Sequence, residues 1–135
     1  MKIFLGGTCN DSTWRSRLIP RLKCDYFNPV VENWTEECVK IEEEQKLICD
    51  KLLFVITPLQ TGYYSFAEII SCSYEFPEKL IVCFLKEDQD NFLRIHNFDD
   101  SRWLSLTRIN DIYLKKKNIP CFWNLEDLGE YLNSL

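Results

Sequence analysis

Glu68 is the acidic residue whose surroundings most strongly suggest chemistry. It lies in TPLQTGYYSFAEIISCSY, residues 57–74, a mostly uncharged segment that begins just after an apolar run. A carboxylate at such a position can serve as a nucleophile or as a general acid or base. Ser65, Ser71 and Cys72 fall on the same stripe of the predicted helix, and their small side chains would leave space beside the carboxylate.

A purely structural explanation of Glu68 competes with the chemical one. The run Ser65-Phe66-Ala67-Glu68 matches the S-x-x-E capping box, in which the serine caps the helix and the glutamate hydrogen-bonds back to the serine amide. On the pattern alone, capping is the stronger explanation. The residues therefore leave two interpretations open: a catalytic Glu68, or a capping Glu68 in a protein with an interaction or structural role.

The elements that must position Glu68 follow from the apolar pattern. Five segments are typical of strands: residues 2–5, 24–28, 51–56, 80–85 and 120–123. A helical pattern follows each strand, which predicts an α/β fold with a doubly wound, mostly parallel five-stranded sheet, flavodoxin-like or Rossmann-like. We expect a single domain over residues 1–135, with the polar segment 87–100 as an excursion over the surface.

In a doubly wound sheet, ligands bind outside the carboxyl ends of the strands. Residues 6–9, 28–30 and 57–65 are therefore expected on one rim. The pair Gly6-Gly7 would let a ligand approach the backbone closely, but a tight turn with positive φ is the stronger explanation of the pair taken alone.

Several other polar and aromatic residues have simple structural interpretations. Trp14 is expected near the rim, although aromatic residues usually belong to the core. Asp50 opens the strand 51–56 at the end away from the rim, where an exposed residue is the simplest expectation. His96 is predicted to be a solvated loop residue, and the acidic run at residues 42–44 a solvated helix face.

Composition narrows the classes of partner. The chain carries 21 acidic and 16 basic residues, a net charge of −5, which argues against nucleic acid or a membrane surface as partner. No apolar run approaches the roughly 18 residues of a membrane span. Seven cysteines without a C-x-x-C pair, and a single histidine, predict reduced thiols, a cytoplasmic protein and no metal site.

An ordered set of motifs gives the chain a resemblance to a known family. The stretches KIFLGGT, DYFNPVVENWTEE and CDKLLFVITP, followed by TGYYSFAE, together resemble nucleoside 2-deoxyribosyltransferase-like proteins over about residues 2–86. The resemblance implies a flavodoxin-like fold and transferase or hydrolase chemistry on the N-glycosidic bond of a nucleoside or nucleotide. It also implies a homo-oligomer, since family enzymes complete their sites with a neighbouring subunit. The chemistry needs no cofactor or metal.

The resemblance also assigns roles to particular residues. Glu68 occupies the place of the family's nucleophile, and Asp50 matches an aspartate of the same active-site region. The glycine-containing loop after the first strand maps to Gly6, Gly7 and Thr8, which would bind the sugar. Further substrate-binding candidates from the expected rim are Trp14, Asn28, Pro29, Gly62, Tyr64 and Ser65.

One departure from the family pattern bears on the reaction. Classical members carry an aspartate in the loop before the nucleophile, but residues 58–62 here read PLQTG and contain no acid. A substrate whose base leaves without protonation, such as a nicotinamide riboside, is therefore favoured. The alternative is a protein that binds a nucleotide or a nucleotide-derived signal without turning it over.

Overall fold

Strands and helices alternate along most of the chain. The computed structural model describes all 135 residues. Its strands are β1 (Lys2–Gly7), β2 (Asp25–Phe27), β3 (Lys51–Ile56), β4 (Leu80–Phe84), β5 (Glu87–Gln89), β6 (Ile95–Asn97) and β7 (Cys121–Phe122). Its α-helices are α1 (Trp14–Leu18), α2 (Glu36–Ile48), α3 (Tyr64–Glu75), α4 (Asp100–Ile109) and α5 (Leu125–Ser134).

The central sheet has five strands in the order β2-β1-β3-β4-β7, and every neighbouring pair is parallel. After β1 the chain adds β2 on one side, then crosses to add β3 on the other side. The sheet order therefore reverses between β1 and β3, where Leu5 lies beside Leu53. This doubly wound α/β arrangement confirms the fold predicted from the sequence.

Both faces of the sheet are buried, which explains why the strand segments are continuously apolar. In β3, Leu52, Phe54 and Ile56 join the core cluster that includes residues of α3 and α4, whereas Leu53 and Val55 join the cluster that includes residues of α1 and α5. All five side chains are fully buried. Burying one such side chain contributes about 1.5–3 kcal/mol, so this strand is a main source of stability.

The segment after β4 is more ordered than its polarity suggests. Strands β5 and β6 form an antiparallel hairpin, and its residue Asp88 is buried. The Asp88 carboxylate accepts hydrogen bonds from Ser12 Oγ at 2.5 Å and from Arg17 Nη2 at 2.7 Å. The excursion over residues 87–100 thus contains an ordered hairpin, which a buried acid ties to the residues around α1.

The helical stretch between β6 and β7 changes form along its length. Helix α4 ends at Ile109, and a π-helical turn over Asn110–Leu114 and a 3₁₀ turn over Lys115–Lys117 continue it. Asn118 then adopts a left-handed conformation, with φ 57°, and ends the stretch. None of the helices combines the length and apolar character needed to cross a membrane.

Candidate active site

A cleft of about 730 Å³ lies outside the carboxyl ends of β1 and β3, where the sheet order reverses. Residues from the ends of β1, from the segment after β2, and from α2 and α3 line it. This is the position at which doubly wound sheets bind ligands, and the volume falls within the range of about 300–1,000 Å³ typical of small-molecule sites. The sheet topology therefore accounts for the place of the cleft.

Two glycines at the end of β1 allow the chain to run close to β3. A Cβ atom on Gly6 would lie 2.5 Å from the Phe54 ring, and one on Gly7 would lie 2.1 Å from the Val55 carbonyl oxygen. Gly7 also has a φ of 111°, which side chains rarely tolerate. Packing and backbone conformation thus require both glycines, and both also line the cleft.

Glu68 faces the cleft and does not cap its helix. Helix α3 begins at Tyr64, its N-cap residue is Tyr63, and no side chain caps it. Ser65 therefore lies inside the helix, so the capping-box interpretation is wrong. The Glu68 carboxylate instead lies 2.5 Å from Lys46 Nζ on α2, and the Glu68 side chain is 13% exposed.

Open space is present on a second side of the same carboxylate. Glu68 also lines a neighbouring cavity of about 340 Å³, together with Ser71 and Cys72. These are the small residues that the helical stripe predicted to leave room beside the glutamate. The carboxylate thus stands between two cavities, with Lys46 as its only contact to a charged group or hydrogen-bond donor.

Lys46 supplies the positive charge of the site. Its side chain is 8% exposed, and its Nζ also donates to Glu43 Oε1 at 2.9 Å and lies 5.8 Å from the centre of the Phe4 ring. Burial lowers the pKa of Lys46, but the hydrogen bonds and charges of Glu68 and Glu43 outweigh it and raise the pKa above its usual value. Lys46 is therefore a cation at neutral pH.

Glu42 brings a second carboxylate to the cleft. It lies one turn before Lys46 on α2 and is partly buried among the cleft-lining residues. Burial raises the pKa of Glu42, the nearby Glu68 charge raises it further, and Lys46 opposes both. The expectation of a solvated face over residues 42–44 is therefore wrong for Glu42, although Glu43 and Glu44 are exposed.

Arg15 is a buried cation on the opposite side of the cleft. Its Nε and Nη2 donate to the Leu5 carbonyl oxygen, at 3.1 and 2.9 Å, and its Nη1 donates to the Thr8 carbonyl oxygen at 2.7 Å. Burial lowers the pKa of Arg15, and the nearby Cys9 and Glu42 counteract this effect. A guanidinium has five N–H groups, and these three bonds to backbone oxygens fix its position at the cleft.

The comparison with known families agrees with this geometry. A family model described as nucleoside 2-deoxyribosyltransferase like matches residues 1–87. The chain belongs to the nucleoside 2-deoxyribosyltransferase-like family. All residues that line the cleft, from Phe4 to Glu68, fall within the matched part. A search of curated proteins found no match.

The structure brings about half of the site residues predicted from the sequence into one place. Five of the predicted substrate-binding residues line the cleft with Glu68: Gly6, Gly7, Pro29, Tyr64 and Ser65. The hydroxyls of Tyr64 and Ser65 make no hydrogen bond to Glu68. In this family member the group beside the carboxylate is Lys46.

Thr8 and Trp14 lie in the interior and do not line the cleft. The Thr8 hydroxyl donates to Gln60 Oε1 at 2.8 Å and accepts from the Thr57 amide at 2.9 Å, and Thr8 is fully buried. Trp14 is fully buried as well and donates from Nε1 to the Thr8 carbonyl oxygen at 2.8 Å. Both residues hold the loops that surround the cleft.

Asn28, Gly62 and Asp50 also lie apart from Glu68. The Asn28 side chain accepts from the Val30 amide at 3.1 Å, and Gly62 lines a separate cavity of about 430 Å³ next to α4. Asp50 accepts from the Lys2 amide at 2.8 Å at the amino end of β3. A six-residue strand spans about 20 Å, so β3 separates Asp50 from the rim.

Sequence reasoning missed the residues of α2 and an aromatic residue at the cleft. Trp34 lines the cleft and is 65% exposed, comparable to Tyr64 at 66%. A tryptophan within the polar stretch VENWTEE was a signal that a ring stands free of the core. For Glu42 and Lys46, the spacing of four residues places both on one helical face, but it does not show that this face meets α3.

Proposed function

We propose that this protein cleaves or transfers the N-glycosidic bond of a nucleoside or nucleotide, with Glu68 as the nucleophile. The observation that carries the proposal is the position of Glu68, a carboxylate that lines the cleft outside the carboxyl ends of β1 and β3, serves no helix cap and touches one cation. The family match to residues 1–87 supports the substrate class.

The reaction places positive charge on the sugar. As the C1′–N bond breaks, the ring gains oxocarbenium character, which a carboxylate beside C1′ stabilises or traps as a glycosyl-enzyme. Water or a second base then releases the sugar. Lys46 acts as a positioning residue, because its ion pair with Glu68 at 2.5 Å fixes the position of the carboxylate.

The cleft offers complementary surfaces to the two parts of a nucleoside. Trp34 and Tyr64 are exposed aromatic residues that line it, and a purine or pyrimidine ring stacks favourably on such faces. The backbone at Gly6 and Gly7 carries no side chain, which leaves room for a sugar to approach. Arg15 adds a cation suited to an oxygen-rich group.

A second candidate function is nucleotide binding without turnover. The observation that favours it is the loop between β3 and α3, because residues 57–63 contain no acidic side chain to assist a leaving base. In that case the cleft binds the nucleotide and Glu68 contacts the sugar without forming a covalent bond.

Product analysis separates the two functions. Wild type and Glu68→Gln are incubated with 2′-deoxynucleosides, nucleoside monophosphates and NAD, with and without a second base, and free base is separated by chromatography. Glutamine keeps the size of the side chain and removes the nucleophile, so we expect a loss of roughly a thousandfold or more. Glu75→Gln, a substitution of an exposed acid on the same helix, is the matched control and should retain activity.

The outcomes point in different directions. Free base from wild type and from Glu75→Gln, but not from Glu68→Gln, supports the glycosidic reaction, and dependence on a second base marks transfer. If wild type binds a nucleotide in calorimetry but releases no base from any substrate, the protein is a binding protein and the enzymatic proposal is wrong.

A further inference from the structure

The cleft contains one carboxylate that the proposed nucleophilic step leaves without a role. Glu42 precedes Lys46 by four residues on α2, so the two side chains share a helical face with Cβ atoms about 6 Å apart. Lys46 contacts Glu68 at 2.5 Å, and both glutamates line the same cleft. Helix α2 runs from the rim towards the amino end of β3, so Glu42 lies nearer the rim than the Lys46–Glu68 pair.

We propose that Glu42 is the general acid and base of the reaction, giving a proton to the leaving base and then taking one from the incoming water or second base. The assignment rests on the proposed function of Glu68. It answers a chemical need, since a purine or pyrimidine is a poor leaving group unless its ring nitrogen is protonated, and no acidic residue lies in the loop over residues 57–63.

The two steps balance with the groups present. In the first step, a Glu68 oxygen bonds to C1′ while the C1′–N electron pair passes to the base. The Glu42 carboxyl transfers its proton to the same base, which then leaves as a neutral molecule. Water then attacks C1′, the C1′–O bond to Glu68 breaks, and the Glu42 carboxylate takes the proton of the water. Both glutamates return to their starting states.

The charges and the burial around Glu42 suit an acid that keeps its proton to a higher pH than an ordinary glutamate does. Glu68 of α3 and Glu43 of the same helix repel its negative form, and burial works in the same direction. Lys46 of α2 and Arg15 of α1 oppose this effect, and burial still keeps the pKa of Glu42 above its usual value. Cys9 and Tyr64 are the remaining titratable residues of the cleft. Two carboxyl groups with divergent environments are the usual arrangement for a nucleophile and an acid.

A matched pair of substrates tests the assignment. The base of guanosine must be protonated to leave easily, whereas 7-methylguanosine already carries a positive charge and releases a neutral base. Each substrate is tested as the ribonucleoside and as the 2′-deoxyribonucleoside. We expect Glu42→Gln to lower kcat/KM about 100-fold or more on the unmethylated substrate and less than about threefold on the methylated one. Glu44→Gln, the same substitution at an exposed position of the same acidic run, should change neither.

The pH profile provides a second readout. Wild-type kcat/KM on the unmethylated substrate should fall as the pH rises through the pKa of Glu42. The pH profile of Glu42→Gln should not show this fall. Equal losses on both substrates, with a normal urea midpoint, overturn the role of Glu42 alone, because the residue would then act by position or charge. Methylated substrate that Glu68→Gln still cleaves, or no cleavage of either substrate by wild type, overturns the proposed function and this assignment with it.

Discussion

Two acids with little solvent exposure, Glu68 and Asp90, are held in opposite ways. The side chain of Asp90 is 1% exposed and accepts from the amides of Phe92 and Arg94, at 2.8 and 3.0 Å, and from Arg94 Nε and His96 Nε2, both at 2.8 Å. Glu68 is 13% exposed and touches the single cation Lys46. One carboxylate is thus saturated, while the other keeps most of its oxygen lone pairs open to the cleft.

The difference separates an acid that builds structure from one available for chemistry. A carboxylate offers about four acceptor positions, and Asp90 uses them on donors no more than six residues away in its own hairpin. Such a group has no lone pair left for a ligand. Glu68 receives its cation from another helix, 22 residues away in the chain (68 − 46), and the rest of the carboxylate remains available to a substrate.

Among the substitutions that test this comparison, Lys46→Met should produce the largest effect, because it removes the one cation that holds Glu68. Without the ammonium group, the little-exposed carboxylate of Glu68 has no paired cation, so we expect a loss of about 3 kcal/mol in unfolding free energy. Turnover should fall as well, by roughly 100-fold, because the nucleophile loses its positioning. Urea unfolding and product release measure the two effects.

The double variant Lys46→Met with Glu68→Gln is the control for this prediction. Removing the second charge should recover part of the lost stability without recovering activity, since the buried anion is then absent. Lys40→Met, at an exposed position of the same helix, should change stability little. A double variant no more stable than Lys46→Met would contradict the ion-pair interpretation.

Asp90→Asn should loosen the hairpin and affect turnover less than the Lys46 substitution does. An asparagine keeps one acceptor oxygen, but its NH2 group replaces the other oxygen. This NH2 group is a donor and cannot accept the hydrogen bonds that Arg94 Nε and His96 Nε2 donate to Asp90. We expect faster hydrogen exchange across β5 and β6 and a lower urea midpoint. Hydrogen exchange that is unchanged in residues 87–97 would show that the four bonds do not hold the hairpin.

Acid should weaken the Asp90 contacts before it weakens the core. Although burial opposes the charged form, hydrogen bonds from His96, Arg94 and the Phe92 amide hold the pKa of Asp90 well below its usual value of 3.8. The unfolded chain therefore binds a proton more readily than the folded protein does below about pH 4, so stability is gained above that pH and lost as the pH falls.

Urea midpoints measured from pH 6 to pH 2 check this sign. Wild type should lose stability more steeply below about pH 4 than Asp90→Asn does, because the variant has no carboxylate to protonate at this position. Parallel curves for the two proteins would mean that other acids dominate the acid response.

The sequence was a good guide to the sheet because burial on both faces leaves a local record. The continuously apolar run of β3 needs no knowledge of its neighbours, and the alternation of strands with helices gives the parallel topology. The position of Glu68 in the helix after β3 followed from the same pattern. The choice between a cap and a nucleophile did not, since it depends on where α3 begins.

The features that the sequence concealed depend on contacts between distant elements. Three consecutive glutamates at residues 42–44 look alike in sequence, and only the packing of α2 against α3 turns Glu42 towards the cleft. Asp90 and His96 lie in a polar stretch that resembles a solvated loop, yet their contact buries the aspartate. Pattern reasoning identifies apolar faces more easily than polar groups that satisfy one another.

Asp50 extends the comparison to a third acid and should give the smallest effect. Its carboxylate accepts from the Lys2 amide at 2.8 Å at an exposed position, so it is neither saturated like Asp90 nor beside the cleft like Glu68. We expect Asp50→Asn to change kcat/KM by less than about threefold, because the amide oxygen still accepts this bond and neutral-partner hydrogen bonds at the surface contribute little. If Asp50→Asn lowered kcat/KM more than about tenfold on both the unmethylated and the methylated substrate, with a normal urea midpoint, Asp50 would have the active-site role that the family resemblance implies. Such a role would require a second subunit that brings its own Asp50 to this cleft, which sedimentation of wild type and Asp50→Asn would test.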